Sequence, residues 1–128
     1  MNKFFILGLI ALSSTQVFAA ELKDFTTSCK SIELDTASIS AVCVAENGGK
    51  YKTAIRLRGL NNHGGELTFD EDTSKMSNFY KTCQNMSVDS HGRLYGECKD
   101  HQGEYVHSVV DLKDVVKNYN GTLVYPLD

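Results

Sequence analysis

The residues of this chain that could do chemistry are short amide, hydroxyl and carboxylate side chains at turns. They stand out in two related runs, Asn62-His63-Gly64-Gly65-Glu66-Leu67 and Asn118-Tyr119-Asn120-Gly121-Thr122-Leu123. Such side chains both donate and accept hydrogen bonds, and each bond to a polar ligand contributes about 1 kcal/mol net. The pattern indicates recognition of a hydroxyl-rich ligand by groups fixed on turns. Asn62 and Asn118 could equally cap their turns, because asparagine tolerates positive φ.

Catalytic chemistry has no comparable support in the sequence. The histidines are scattered over turns and strands, and none stands beside a serine or cysteine in a nucleophile motif: His63, His91, His101 and His107. No pair of acidic residues is singled out for glycoside cleavage. The sequence therefore predicts a protein that is not an enzyme and that needs no cofactor.

Metal binding is the other chemistry that these residue types could support. Zinc sites need a short paired cysteine knuckle, whereas 13 and 14 residues separate the cysteines of the two candidate pairs. The acidic run Asp70-Glu71-Asp72 lacks the ligand spacing of a calcium loop, and a solvated linker is the favoured interpretation. We predict no metal site.

The second half of the chain repeats the first, and this repetition must position the two polar runs. Four landmarks of the first half recur at a shift of 54 or 55 positions: Phe25, Cys29, Cys43 and Tyr51 correspond to Phe79, Cys83, Cys98 and Tyr105. The runs beginning at Asn62 and Asn118 are related by a shift of 56. A tandem duplication predicts that any ligand site exists twice, at pseudo-equivalent places.

The four cysteines allow three disulfide pairings, and the duplication selects one of them. Each copy had to fold before or soon after it was doubled, so we predict Cys29 with Cys43 and Cys83 with Cys98. Each loop of this length would stabilise the fold by about 3 kcal/mol on the entropy model. Disulfides also indicate an oxidising compartment.

Short strands are predicted by alternating hydrophobicity, for example at Ile39-Ala41-Cys43 and Leu94-Gly96-Cys98. Turn signals such as Asn47-Gly48-Gly49 and Asn120-Gly121 separate the strands. Only residues 112–117 could form a helical turn, so the predicted class is all-β. Three tyrosines are predicted to lie in the core: Tyr51, Tyr105 and Tyr125.

The amino terminus reads as a secretory signal. An apolar run from Phe4 to Leu12 follows Lys3, and Val17-Phe18-Ala19 has the small-residue ending that signal peptidase reads. The run is too short to span a bilayer, which takes roughly 20 apolar residues. Cleavage after Ala19 would leave 12 basic and 16 acidic side chains, without the basic cluster that nucleic-acid binding needs. We therefore predict a secreted or periplasmic protein that binds neither membrane nor nucleic acid.

Taken together, these motifs resemble the cyanovirin-N homologue family. The resemblance rests on four segments: Phe25-Thr26-Thr27-Ser28-Cys29, Asn47-Gly48-Gly49-Lys50-Tyr51, Phe79-Tyr80-Lys81-Thr82-Cys83 and the closing Asn118-Tyr119-Asn120-Gly121-Thr122-Leu123-Val124-Tyr125. It implies a pseudo-symmetric tandem repeat with strands exchanged between repeats and short 3-10 turns. The single domain would span 20–128, with repeats at about 24–69 and 78–125 and a linker at about 70–77.

The resemblance also implies a lectin for mannose-rich glycans, particularly those ending in α1,2-linked mannose, with one site near each end. Carried over by position, the first site comprises Asp24, Thr27, Ser28, Val44, Glu46, Asn47, Asn118, Tyr119 and Asn120. The second, weaker site comprises Asn62, His63, Gly64, Ser77, Asn78, Lys81, Thr82, Lys99, Asp100, His101 and Gly103. Two such sites on one rigid body could gain avidity of about 100-fold on a multivalent glycan.

Two departures from the family pattern support an alternative function. Gly64 removes the side-chain acceptor expected before the second glycine of its loop, and Val44 puts an apolar group where a polar contact is expected. A small secreted protein-binding module, such as a periplasmic inhibitor on the same scaffold, is the alternative. The chain could be a monomer, or a dimer that swaps strands through its central linker.

Overall fold

The computed structural model describes residues 20–126, so the predicted signal sequence and the last two residues lie outside the described part. The described residues form short strands joined by tight turns, with one helical turn near the start of each half. In chain order the elements are β1 (Leu22–Asp24), α1 (Phe25–Ser28), β2 (Cys29–Asp35), β3 (Ser38–Val44), β4 (Lys50–Arg56), β5 (Leu60–His63), β6 (Glu66–Phe69), a 3-10 turn (Phe79–Lys81), β7 (Cys83–Val88), β8 (Arg93–Lys99), β9 (Tyr105–Asp111), β10 (Lys117–Tyr119) and β11 (Thr122–Val124).

Each half contains a three-stranded antiparallel sheet, β2-β3-β4 in the first and β7-β8-β9 in the second. The cysteines lie directly opposite each other on the first two strands of each sheet. The structure contains both disulfides that the duplication predicts, Cys29–Cys43 and Cys83–Cys98, so this prediction is confirmed. Each sheet also has a register shift within its first pair of strands, after Lys30 and after Gln84.

Two hairpins complete the fold, and each packs against the sheet of the opposite half. In the β5–β6 hairpin, the Leu67 amide donates to Ser108 Oγ on β9 at 2.8 Å. The β10–β11 hairpin has β1 as a third strand, and its Leu123 amide donates to Thr53 Oγ1 on β4 at 3.1 Å. The exchange of strands between repeats, as the resemblance implies it, stays a prediction.

The core is built from the same positions in the two halves. Matching side chains are at most 3% exposed at four pairs of positions: Phe25 and Phe79, Ile39 and Leu94, Leu57 and Leu112, and Leu67 and Leu123. Complete burial of one such side chain contributes roughly 1.5–3 kcal/mol. The alternation predicted for the central strands is confirmed, since Ile39, Ala41 and Cys43 are all buried.

The helical turns fall where the sequence analysis did not place them. Asp24 caps α1, because its carboxylate accepts from the Thr26 amide, and Phe25 anchors the turn in the core. Residues 112–116 form only a turn, which Val115 and Val116 close by donating to the Leu112 carbonyl. No helix within residues 20–126 has the length and apolar character that a membrane crossing requires.

Two predictions about the tyrosines are wrong. Tyr51 and Tyr105 are 48% and 45% exposed, so neither is a core aromatic, whereas Tyr125 is half-buried. Nor are Tyr51 and Tyr105 equivalent, because Tyr51 lies opposite Cys43 while Val106 lies opposite Cys98. The two halves remain related by a shift of 55 positions after Cys43 and Cys98. The turns at 45–49 and 100–104 have equal length and are closed by matching backbone hydrogen bonds.

Candidate functional site

Asn118 fastens the loop between β10 and β11 to the first half of the chain. Its Nδ2 donates to Ser28 Oγ at 2.9 Å and to the Val44 carbonyl at 3.0 Å, and its Oδ1 accepts from the Gly121 amide at 2.8 Å. These bonds join helical turn α1, the end of β3 and the loop. The Asn118 side chain is fully buried and offers a ligand no exposed atom, so its place here is to position the loop.

Asn120 is the exposed amide of the same loop. Its Oδ1 accepts from the Glu46 amide at 2.9 Å, which bridges this loop to the turn after β3. Within residues 20–126 no protein group bonds to Asn120 Nδ2, so both of its donors are available to a ligand. The Glu46 carboxylate is exposed and lies 3.9 Å from Lys23 Nζ.

Asp24 contributes a second carboxylate to the candidate site. Thr26 donates to Asp24 Oδ1 from its amide at 2.8 Å and from its hydroxyl at 2.6 Å, which leaves Oδ2 without a protein donor in the described residues. Partial burial acts to raise the pKa of this carboxyl, but the Thr26 hydrogen bonds and the nearby Lys113 and Lys117 hold it below its ordinary value. Asp24 is therefore an ionised acceptor at neutral pH.

The other residues predicted for the first site surround this core of contacts. The hydroxyls of Thr27 and Ser28 both donate to the Asp24 carbonyl, at 3.1 and 2.8 Å. Asn47 Oδ1 accepts from the Gly49 amide and so closes its turn. Tyr119 on β10 lies opposite Leu22 on β1. The side chains of Tyr119 and Val44 are both exposed. The fold thus brings all nine predicted positions to one end of the molecule.

A cleft of about 360 Å³ adjoins the site, and sequence reasoning did not find it. Asn47 and Asn120 line it on the side of the predicted site, and the remaining lining comes from Ala45, Tyr51, Lys52, Thr53, Gly121 and Thr122. The signal that could have found it is Gly49 close to Tyr51, because a turn without a side chain at this position lets the aromatic ring pack on bare backbone.

Asn62 repeats these contacts for the loop between β5 and β6, which it fastens to the second half of the chain. Asn62 Nδ2 donates to Thr82 Oγ1 at 3.0 Å and to the Lys99 carbonyl at 2.9 Å, and its Oδ1 accepts from the Gly65 amide at 2.7 Å. These are the counterparts of the bonds of Asn118 to Ser28, Val44 and Gly121. The same three loop-fastening hydrogen bonds therefore occur twice, with Asn62 half-buried instead of fully buried.

The two ends differ in the residues that would meet a ligand. Gly64 is at the position equivalent to Asn120 and has no side chain. The His101 ring fills the space that a side chain there would need, because a Cβ on Gly64 would lie 2.5 Å from His101 Nε2. His101 itself stands where the first half has Glu46. Lys81 and Lys99 replace Thr27 and Val44, so the second end is more basic than the first.

Several residues predicted for the second site are engaged within the protein. Ser77 is buried, and its hydroxyl accepts from the Leu60 amide. His63 Nε2 lies 2.8 Å from Asp70 Oδ1. Asp100 Oδ1 accepts from the amides of Gln102 and Glu104. The backbone amide of Asn78 donates to Asn61 Oδ1. Gly103, in contrast, faces open space, because a Cβ at this position would have no neighbour within 4 Å.

Metal chemistry finds no support in the described part of the chain. Among residues 20–126, no group of three or more histidine, cysteine, aspartate or glutamate side chains could hold a metal ion. All four cysteines are in disulfides. What both ends of the molecule offer is a set of hydrogen-bonding groups on rigid turns.

Comparison with known proteins places this arrangement in a family. A family model described as the CVNH domain matches residues 25–124. The microvirin–mannobiose complex is 27% identical to the chain, with a TM-score of 0.66, and the match covers 81% of this chain and 99% of microvirin. The MoCVNH3 variant Mo0v, solved in complex with (N-GlcNAc)4, is 20% identical, with a TM-score of 0.70 and coverage of 81% and 97%.

A third structure is the MoCVNH-LysM module from the rice blast fungus Magnaporthe oryzae. It is 17% identical to the chain, with a TM-score of 0.72, and the match covers 81% of this chain and 98% of that one. At such identities the likeness shows the fold. The family model spans most of the chain and the fold agrees with it, so the resemblance predicted from the sequence is confirmed: the chain belongs to the CVNH domain family.

Proposed function

We propose that this protein is a secreted lectin for mannose-rich glycans and that its principal site is the first site, around Asn120. The supporting observation is that Asn120 Nδ2 and Asp24 Oδ2 have no protein partner among residues 20–126, although both side chains are held in place by other hydrogen bonds within the protein. Donors and acceptors fixed in this way match the vicinal hydroxyls of a pyranose. Two relatives, solved with mannobiose and with (N-GlcNAc)4, support a saccharide ligand.

Under this proposal the protein is not an enzyme and needs no metal or cofactor. Its mature chain begins after Ala19, and residues 20–128 form one domain of two repeats joined by a linker at 70–77. The exposed sequence Glu71-Asp72 and the two disulfides support this organisation and an extracellular location.

The test is a glycan array with mannosides and N-acetylglucosamine oligomers, probed with the wild type and Asn120→Gly. Asn120 has a φ of 52°, which glycine adopts readily, so this variant removes the side chain and leaves the backbone in place. We expect the wild-type signal on mannosides to fall at least tenfold in the variant.

Asn85→Gly is the matched control, because Asn85 also has a positive φ, of 55°, but lies on β7 outside both sites. It should bind like the wild type. Equal mannoside binding by Asn120→Gly and the wild type would remove Asn120 from the site. A signal confined to N-acetylglucosamine oligomers would replace mannose as the ligand.

A protein-binding role is the second candidate, and an apolar edge of the same site favours it. Val44 is 40% exposed, and Leu22 lies opposite Tyr119 with both side chains exposed. Exposed apolar groups of this kind are typical of contact surfaces between proteins. Silence across the array, together with capture of one specific protein that Val44→Glu abolishes, would favour this candidate.

A further inference from the structure

We propose that the cleft beside Tyr51 is a second sugar subsite, in which the next pyranose of a bound oligosaccharide stacks on the exposed Tyr51 ring. This inference rests on the proposed function, since Asn47 and Asn120 line the cleft and also belong to the first site. It adds to that site a group that sequence reasoning had assigned to the core.

The position of the Tyr51 ring is fixed by close packing against two glycines. A Cβ on Gly121 would lie 2.8 Å from Tyr51 Cδ2, and a Cβ on Gly49 would lie 3.0 Å from the Tyr51 hydroxyl. One edge of the ring therefore rests on bare backbone, while almost half of the side chain stays exposed. An exposed aromatic that is held in this way presents its surface to a ligand at little entropic cost.

Gly49 is informative because its backbone does not require a glycine. Its φ is not positive, unlike that of Gly48 or Gly121, so an L residue could adopt the conformation. A Cβ at Gly49 would lie 3.0 Å from both Asn47 Oδ1 and the Tyr51 hydroxyl, so a side chain there would push the Tyr51 ring from its place by a few tenths of an ångström. Glycine at this position therefore suits the observed placement of the ring.

The two repeats supply an internal comparison. The turn bond from Ala45 to Gly49 has its counterpart in the bond from Asp100 to Glu104, so Glu104 stands where the first half has Gly49. Val106 stands where the first half has Tyr51. The glycine and the tyrosine therefore occur together in one half and are both absent from the other, as expected if they serve one feature.

The rest of the cleft is suited to a second pyranose. Its volume of about 360 Å³ falls in the range of small-ligand sites, which begins near 300 Å³. A pyranose has an apolar face of C–H groups and a polar rim of hydroxyls. Tyr51 offers an aromatic surface to that face, and the hydrogen-bonding groups at the edges offer partners to the rim: Asn47, Lys52, Thr53, Asn120 and Thr122.

The test compares methyl α-mannoside with α1,2-linked di- and trimannosides, titrated into the wild type, Tyr51→Val and Tyr51→Phe. Tyr51→Val introduces the residue of the second half, whereas Tyr51→Phe keeps the ring. We expect Tyr51→Val to bind the monosaccharide within twofold of the wild type but the oligosaccharides about tenfold more weakly, and Tyr51→Phe to bind both normally.

Tyr105→Val is the matched control, because Tyr105 is an equally exposed tyrosine at the position of Lys50. It should bind like the wild type. NMR supplies a second readout: the C–H protons of the second mannose should shift upfield in wild-type complexes and not in those of Tyr51→Val.

Two outcomes would overturn the subsite in distinguishable ways. Oligosaccharide affinity that is unchanged in Tyr51→Val, or reduced equally for the monosaccharide, would show that Tyr51 contacts no second sugar while leaving the lectin intact. Absence of binding to any saccharide by the wild type would overturn the proposed function and, with it, the subsite.

Discussion

Asn118 and Asn62 occupy the same position in the two halves and make the same three hydrogen bonds. They differ in their access to water, since Asn118 is fully buried and Asn62 is half-buried. Loss of a buried partner leaves the remaining groups unsatisfied, at a cost of roughly 1–3 kcal/mol for each. Burial therefore decides how much each asparagine contributes to stability.

We predict that Asn118→Ala lowers the free energy of unfolding by about 3 kcal/mol, because the Ser28 hydroxyl, the Val44 carbonyl and the Gly121 amide lose their common partner away from water. Asn62→Ala should cost about half as much, since water can replace the lost partner. Urea unfolding of both variants would measure the difference. Equal losses, or a smaller loss in Asn118→Ala, would contradict this assignment.

At the scale of elements, the turn between β7 and β8 is organised by one carboxylate. Asp89 accepts from the amides of His91 and Arg93, from Arg93 Nε and from the Tyr95 hydroxyl. Desolvation acts to raise the pKa of Asp89, but these hydrogen bonds lower it to about 2. In the unfolded chain the pKa would be near 3.9.

Because the pKa of Asp89 is lower in the folded state, its contribution to stability is present above about pH 4 and is lost as the pH falls toward 2. We predict that Asp89→Asn lowers the free energy of unfolding by about 1 kcal/mol at pH 7, after allowance for solvent screening. The difference between variant and wild type should shrink to a small fraction of its pH 7 value near pH 2, where about half of the Asp89 carboxyls are protonated in the folded state.

Asp35→Asn is the control for that measurement, because Asp35 occupies the equivalent position in the first half and its carboxylate has no hydrogen-bond partner within residues 20–126. It should change stability little at any pH. Denaturant unfolding at pH 7, 4 and 2 tests this prediction, and a difference for Asp89→Asn that is as large at pH 2 as at pH 7 would contradict the role of its charge.

Repetition in the sequence was sufficient to predict most of these elements. The signals used for the prediction are local in the sequence: cysteines at matching positions, alternation around Ile39 and Leu94, and turn signals such as Asn120-Gly121. The structure confirms the paired cysteines, the strands and the turns that these signals predict. The helical turn at Phe25 was missed, because four residues are too few to show a helical period.

The candidate site was predictable only in part, because exposure depends on packing between distant segments. The sequence marks Asn118 and Asn120 alike, but contacts with Ser28 and Val44, far away along the chain, bury the first and leave the second exposed. Tyr51 was assigned to the core since an alternating strand pattern does not reveal that one edge of its ring packs on Gly49 and Gly121 while almost half of the residue stays exposed. The position of Val106 as its counterpart required the strand register.

At the scale of the whole molecule, the duplication has produced two ends with the same frame and different surfaces. The first end carries Asn120 and Glu46, whereas the second carries Gly64 and His101 at the same positions. A lectin with two equal sites would cross-link multivalent glycans and gain avidity. The differences at the second end instead favour one site per chain.

We predict that titration calorimetry with an α1,2-linked dimannoside gives a stoichiometry of one glycan per chain, which falls to zero in Asn120→Gly.

Transfer of Asn120 and Glu46 from the first end to the equivalent positions of the second end should create another site. Gly64→Asn alone would place its Cβ against the His101 ring, so we expect binding only when His101→Glu removes that ring. The backbone permits the change, because Gly64 and Asn120 have φ values of 65° and 52°. The double variant Gly64→Asn with His101→Glu should raise the stoichiometry to two, and the same pair in the Asn120→Gly background should restore it to one. A wild-type stoichiometry of two would show that Gly64 and His101 do not disable the second end, and failure of the double variant to gain a site would show that other differences, foremost Lys81 and Lys99, also separate the two ends.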